Sequence, residues 1–139
     1  MTPPLDGLTF FLDRGLGSRI VAKALREQGW RLETMDERYG KQASQNIQDV
    51  QWISEATSNG DVLLCKDLRI ASNPLEARCI YMNNSRVFGL KNRHMTGPQM
   101  ADLFISMGTK IGNMARGANG PYVVSVSSDS LKRRKLLFP

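Results

Sequence analysis

Three aspartates stand where the chain changes character. Asp13 ends the apolar run Leu8-Thr9-Phe10-Phe11-Leu12, Asp49 opens a segment with helical apolar spacing, and Asp67 follows the apolar run 61–65 and Lys66. Taken singly, Asp49 reads first as a helix N-cap, and Asp13 and Asp67 have a solvated loop residue as their second reading. Brought together, unpaired carboxylates repel unless a proton or a cation intervenes. A hard cation such as Mg²⁺ or Mn²⁺, held by carboxylates and water, relieves that repulsion. It also activates water and offsets charge on a phosphodiester in flight. The remaining side chains offer little else. His94 is the single histidine, beside Arg93 in a polar turn, so a His-based zinc site or catalytic triad has nothing to build on. Cys65 and Cys79 lack metal-like spacing, and Cys65 reads as a buried free thiol.

The elements that must position these acids follow from the apolar pattern. Residues 8–12 read as a buried strand, and Gly15 and Gly17 break it before a helix capped by Ser18 and running to about Gln28. Residues 30–35 read as a second strand with Trp30, Leu32 and Thr34 on one face, and residues 36–48 as polar and irregular. A helix is expected from Asp49 to about Asn59 with Val50, Ile53, Ala56 and Thr57 as its stripe. At ~100° per residue Asp49 lies roughly 50° from that stripe and Glu55 roughly 170° away, so Asp49 leans inward while Glu55 faces solvent. A strand over 61–65, a helix from Pro74 to about Met82 and a strand over 86–90 come next. Thr96 and Pro98 start a helix with Met100, Leu103, Phe104, Met107 and Ile111 on one face. A glycine-rich connection, 112–120, leads to a last strand over 122–126, and about 129–139 reads as a basic tail.

Strand and helix alternate, which predicts an α/β fold, a three-layer α/β/α sandwich around a mostly parallel central sheet. Ligands in such sheets sit outside the carboxyl ends of the strands. Asp13 and Asp67 each follow a strand, so both are expected at that edge. One domain spanning 1–139 fits the length, and 41% apolar with 23% charged residues is an ordinary globular balance. The start has no basic stretch followed by an apolar run, and no segment approaches the ~20 apolar residues of a membrane helix. A cytoplasmic protein without a membrane partner is expected. The net charge of +6 favours a polyanion, nucleic acid above all.

The stretches 10–17, 49–56 and 63–70 (FFLDRGLG, DVQWISEA and LLCKDLRI) together resemble the PIN-like domain, in particular VapC-type toxins of bacterial toxin–antitoxin pairs. Residues 120–124 are similar to that family's closing strand. The resemblance implies a Mg²⁺- or Mn²⁺-dependent endoribonuclease with an RNA substrate, restrained by a cognate antitoxin protein and forming a homodimer. By matched position Asp13, Asp49 and Asp67 would be its catalytic metal ligands. One departure stands out. The fourth acid common soon after the third is missing, with Asn73, Asn83 and Asn84 in that region and Glu76 the only nearby acid. This pattern points to one metal, or a weakly held second, and leaves a weakened or lost activity open.

Arg14, Lys66 and Arg69 flank the acids and read either as RNA phosphate contacts or as local ion-pair partners. Lys132-Arg133-Arg134-Lys135 reads first as a solvated tail and second as a phosphate contact. The 112–120 segment lacks the Gly-Lys-Ser/Thr ending of a phosphate-binding P-loop. Two other functions compete. A receiver-like signalling domain would need a second acid beside Asp13, where Arg14 stands. A noncatalytic RNA- or protein-binding module would keep the fold without a full metal site.

Overall fold

Strands buried on both faces are predominantly apolar, and four such runs form the centre of the sheet. A computed structural model describes residues 5–138. The sheet contains β1 (Phe10–Leu12), β2 (Leu32–Glu33), β3 (Val62–Cys65), β4 (Arg86–Leu90), β5 (Tyr122–Val126) and β6 (Leu131–Arg134) in the order β2-β1-β3-β4-β5-β6. The first five are parallel and β6 is antiparallel to β5. Helices α1 (Ile20–Glu27), α5 (Gly97–Ser106) and α6 (Gly108–Gly117) cover one face around Phe10, Leu12, Leu64, Phe88 and Val124. Helices α2 (Met35–Tyr39), α3 (Asp49–Ser58) and α4 (Pro74–Asn83) cover the other, around Phe11, Leu63, Val87 and Val123. The result is the expected three-layer α/β/α sandwich. No helix among the described residues is long and apolar enough to cross a membrane.

The winding direction locates the functional edge. From β1 the chain moves outward to β2, then returns to place β3 on the other side of β1. The crossovers therefore diverge between β1 and β3, leaving a crevice at their carboxyl ends. Asp13 and Asp67 lie at that crevice.

Several local expectations are corrected. Ser18 does not cap α1, which begins at Ile20 without a side-chain cap. The strand expected over 30–35 shrinks to Leu32–Glu33, because Thr34 accepts from the Glu37 N–H while Glu37 accepts from the Thr34 N–H, a capping box that starts α2. Residues 43–46 then form a 3₁₀ turn within the segment expected to be irregular. The helix begun at Thr96 breaks at Met107, and the glycine-rich stretch continues as α6 through Gly117 instead of forming a loop. The tail is ordered into β6 over residues 131–134, zipped onto β5.

Candidate active site

The acids are placed by main-chain geometry before any side chain acts. The Asp13 N–H donates to the Leu64 carbonyl at 2.9 Å, extending the β1–β3 pairing by one residue. Its side chain then caps a 3₁₀ turn, Arg14–Leu16, by accepting from the Leu16 N–H at 3.2 Å. Two glycines permit the close packing here. A Cβ on Gly15 would lie 2.8 Å from Lys66 Cβ and 3.2 Å from Asp13 Oδ1, and one on Gly89 would lie 2.9 Å from the Asp67 carbonyl oxygen. Gly89 pairs with Cys65 across β3 and β4, so its bare backbone lets the Asp67 loop settle on the sheet.

Asp49 is the first helical residue of α3, not its cap, which is Gln48. Trp52 stacks on Phe11 of β1 at 5.5 Å and donates its indole N–H to Asp49 Oδ1 at 2.9 Å. A buried core residue thus aims an acid at the crevice. Arg14 strengthens the placement. Its Nη2 donates to the Ser44 and Ile47 carbonyls at 2.7 Å each, pinning the segment that leads into α3, while Nη1 lies 4.0 Å from Asp49 Oδ1. Glu55 is exposed and accepts from the Tyr39 hydroxyl, away from the crevice.

A cleft of about 500 Å³ brings Asp13, Asp49 and Asp67 together with Arg14, Lys66, Arg69, Asn73 and Glu76. Glu76 is the residue that sequence reasoning left outside the site. It occupies the third position of α4 after the Asn73 cap, where a glutamate ordinarily turns back to the cap N–H. Here the Asn73 N–H already donates to the Arg69 carbonyl at 2.9 Å. Released from capping, the Glu76 carboxyl faces Asp49, and its Oε2 is buried with no hydrogen-bond partner. The usable signal was position: an acid in the first turn of the helix after Asp67.

The electrostatics follow from this crowding. Burial pushes Asp13 from 3.8 to about 7, against hydrogen bonds from the Leu16 and Lys66 backbone, and the charges of Asp49 and Asp67 raise it further. Glu76 is also raised, by burial first and by the facing Asp49 second. Burial works in the same direction on Asp67, but Arg69 outweighs it and holds that carboxyl below its ordinary value. Arg69 donates its backbone N–H to Asp67 Oδ1 at 2.9 Å and Nη2 to Oδ2 at 3.0 Å. The three flanking cations therefore differ. Arg14 clamps main chain, Arg69 pairs with an acid, and Lys66 lines the cleft with no ion pair among the described residues.

The donor set suits a hard cation. It is made of oxygens, it includes two facing carboxylates, and one buried carboxylate oxygen is orphaned. Among the described residues no three acids, histidines or cysteines converge as a ready-made cage. Asp67 in particular is engaged by Arg69.

Comparison with known proteins adds a family. The family model described as a PIN like domain matches residues 8–92, which hold all four acids. A Mycobacterium tuberculosis protein named "Putative ribonuclease VapC45" is 32% identical over 123 residues, covering 88% of each chain. No solved structure matches the chain significantly.

Proposed function

The chain belongs to the PIN-like domain family, with a VapC-type relative along most of its length, and from that premise we propose that it is the ribonuclease toxin of a toxin–antitoxin pair, hydrolysing RNA phosphodiesters with Mg²⁺ or Mn²⁺. The observation that carries this reading is the facing pair Asp49–Glu76, with Glu76 Oε2 buried and unpartnered beside Asp13 and Asp67. Such an arrangement is costly unless a proton or a cation compensates it, and a cation can do so for all four acids at once.

Asp13, Asp49, Asp67 and Glu76 would hold the ion, with Glu76 taking the place of the fourth acid. The chemistry supplied when an ion is bound is water activation and neutralisation of charge on the phosphoryl group. The protein's own residues do the rest. Trp52 and Arg14 hold Asp49 in place, and Gly15 and Gly89 allow Asp13 and Asp67 to approach one edge. Lys66 presents a positive charge to a phosphate oxygen at the cleft wall. Asp13, pushed up to about 7 chiefly by burial, holds a proton part of the time near neutral pH in the metal-free protein, and would give it up on holding an ion. A cognate antitoxin belongs to the same reading. A basic side chain entering the cleft would neutralise the acids in place of the cation.

The test is cleavage of total RNA by the purified chain with Mg²⁺ or Mn²⁺, with EDTA, and with an Asp67→Asn variant. Cleavage only by the wild type with metal is expected. Cleavage that persists in EDTA, or in the variant at the wild-type rate, refutes the proposal. Metal binding by the wild type without any RNA cleavage favours the noncatalytic module.

A further inference from the structure

A second, smaller cavity of about 170 Å³ shares the Asp67 and Arg69 wall of the acidic cleft, and its other side is Leu68, Ser72, Leu90, Lys91, Arg93 and Arg134. Three chain segments that are far apart in sequence meet there. Lys91 directly follows β4, and its N–H donates to the Val126 carbonyl at 3.0 Å, which keeps this segment against β5. Arg93 lies two residues further on. Arg134 comes from β6, paired opposite Val123.

The pleat of β6 divides the basic run into two sets. Side chains alternate along a strand, and directly opposed residues share a face. Lys132 and Arg134 oppose Ser125 and Val123, so they lie on the sheet face that carries α3 and α4. Arg133 opposes Val124 on the other face, and its guanidinium sits over the Tyr122 ring at 5.1 Å. Only Arg134 of this run lines the small cavity.

The three cations are exposed. Among the described residues none of the Lys91, Arg93 or Arg134 side chains has an ion pair or hydrogen bond. Lys91 feels the charge of Asp129 without pairing to it. Arg93 also acts on Asp67 and helps to lower its carboxyl, but that acid is already paired with Arg69, so three cations face one engaged carboxylate and the local potential favours an incoming anion. Arg69, by contrast, is engaged with Asp67 and forms the partition between the two cavities.

We propose that Lys91, Arg93 and Arg134 form a phosphate subsite that grips the RNA backbone to one side of the scissile bond, next to the acidic centre across the Asp67–Arg69 wall. This inference rests on the ribonuclease reading and specifies where its substrate lies. Only Leu68 and Leu90 give the cavity apolar lining, too little for the apolar anchors of a protein interface. Guanidinium forks match phosphate oxygens, and no aromatic ring lines the cavity to stack a base. The subsite therefore supplies affinity and register, without selecting a sequence.

The test is binding of a labelled single-stranded RNA by fluorescence anisotropy across a salt series, in EDTA to prevent turnover. Arg134→Gln should lower the log–log salt slope by about 0.7 and the pair Lys91→Gln/Arg93→Gln by about 1.4, since each lost phosphate contact on a single strand removes that much. Arg133→Gln removes the same charge from the opposite face and should leave the slope unchanged. In Mg²⁺ the first two variants should raise KM several-fold with kcat nearly constant. Equal slopes for Arg133→Gln and Arg134→Gln overturn the subsite, as does weakened binding of a Glu-rich peptide with RNA binding intact. Those results with normal cleavage leave the ribonuclease reading standing, whereas a wild type with no salt-dependent RNA affinity overturns both. The two sets come from different segments, so misfolding in one leaves the other decisive.

Discussion

Replacing Asp13 with asparagine should make the metal-free protein more stable, by an amount that depends on pH. In the folded chain this carboxyl is raised from 3.8 to about 7, chiefly by burial. Below pH ~4 the acid is protonated folded and unfolded, and it contributes no difference. As pH rises, the unfolded chain releases the proton first, and the folded state loses ~1.36 kcal/mol per pH unit until its own carboxyl ionises near 7. The full loss is about 4 kcal/mol. Solvent reaching the half-buried residue trims this to about 2–3 kcal/mol. Asparagine carries no proton to lose, and its Oδ1 can still accept from the Leu16 N–H, so the local turn is kept. The variant should match the wild type near pH 4 and exceed it by about 2–3 kcal/mol near pH 8, or roughly 5–10 °C in Tm. Urea unfolding in EDTA at several pH values measures this directly. Adding Mn²⁺ at ~100 times its Kd should restore about 2.7 kcal/mol to the wild type and much less to the variant. A variant that is less stable at high pH, or an advantage that does not grow with pH, would refute the assignment of Asp13 to a crowded acidic centre. RNA cleavage should be lost in either case.

Asp49→Asn should weaken Mn²⁺ binding strongly while Glu55→Gln leaves it unchanged, because Asp49 enters the cleft and Glu55 points to solvent; calorimetric titration with the order reversed would reject the site. Glu76→Gln should cut metal affinity about tenfold or more and raise metal-free stability by about 1 kcal/mol as the facing charge on Asp49 gains a donor. Unchanged affinity in that titration would remove Glu76 from the ligand set. Gly89→Ala should cost about 2–3 kcal/mol and most of the cleavage rate, since the added methyl meets the Asp67 carbonyl at 2.9 Å and Leu68 Cδ2 at 2.8 Å. Thermal unfolding and a cleavage assay both at wild-type values would show that this close approach does not position the site.

The sequence by itself determined the sheet and the edge that carries function. Strands β1, β3, β4 and β5 are buried on both faces apart from Arg86 at the start of β4, so each is predominantly apolar, and alternation with helices implied parallel pairing. From there the carboxyl-end rule placed Asp13 and Asp67 without any coordinates. Tertiary contact decided what such local patterns leave open. The apolar stripe running past Met107 hid the break between α5 and α6, beside which Trp30 packs so closely that a Cβ on Gly108 would lie 3.2 Å from its ring. The basic run 132–135 carries no apolar periodicity, because an edge strand needs only main-chain partners, so β6 and its division of Arg133 from Arg134 appear only after β5 is in place. Arg14, Lys66 and Arg69 look alike in sequence, yet the carbonyls of residues 44 and 47 occupy the first and Asp67 the third. Glu76 had the position of a capping glutamate, and a single bond from the Asn73 N–H to Arg69 released it toward Asp49. That choice belongs to three dimensions, since a carboxylate's role depends on which donors reach it first.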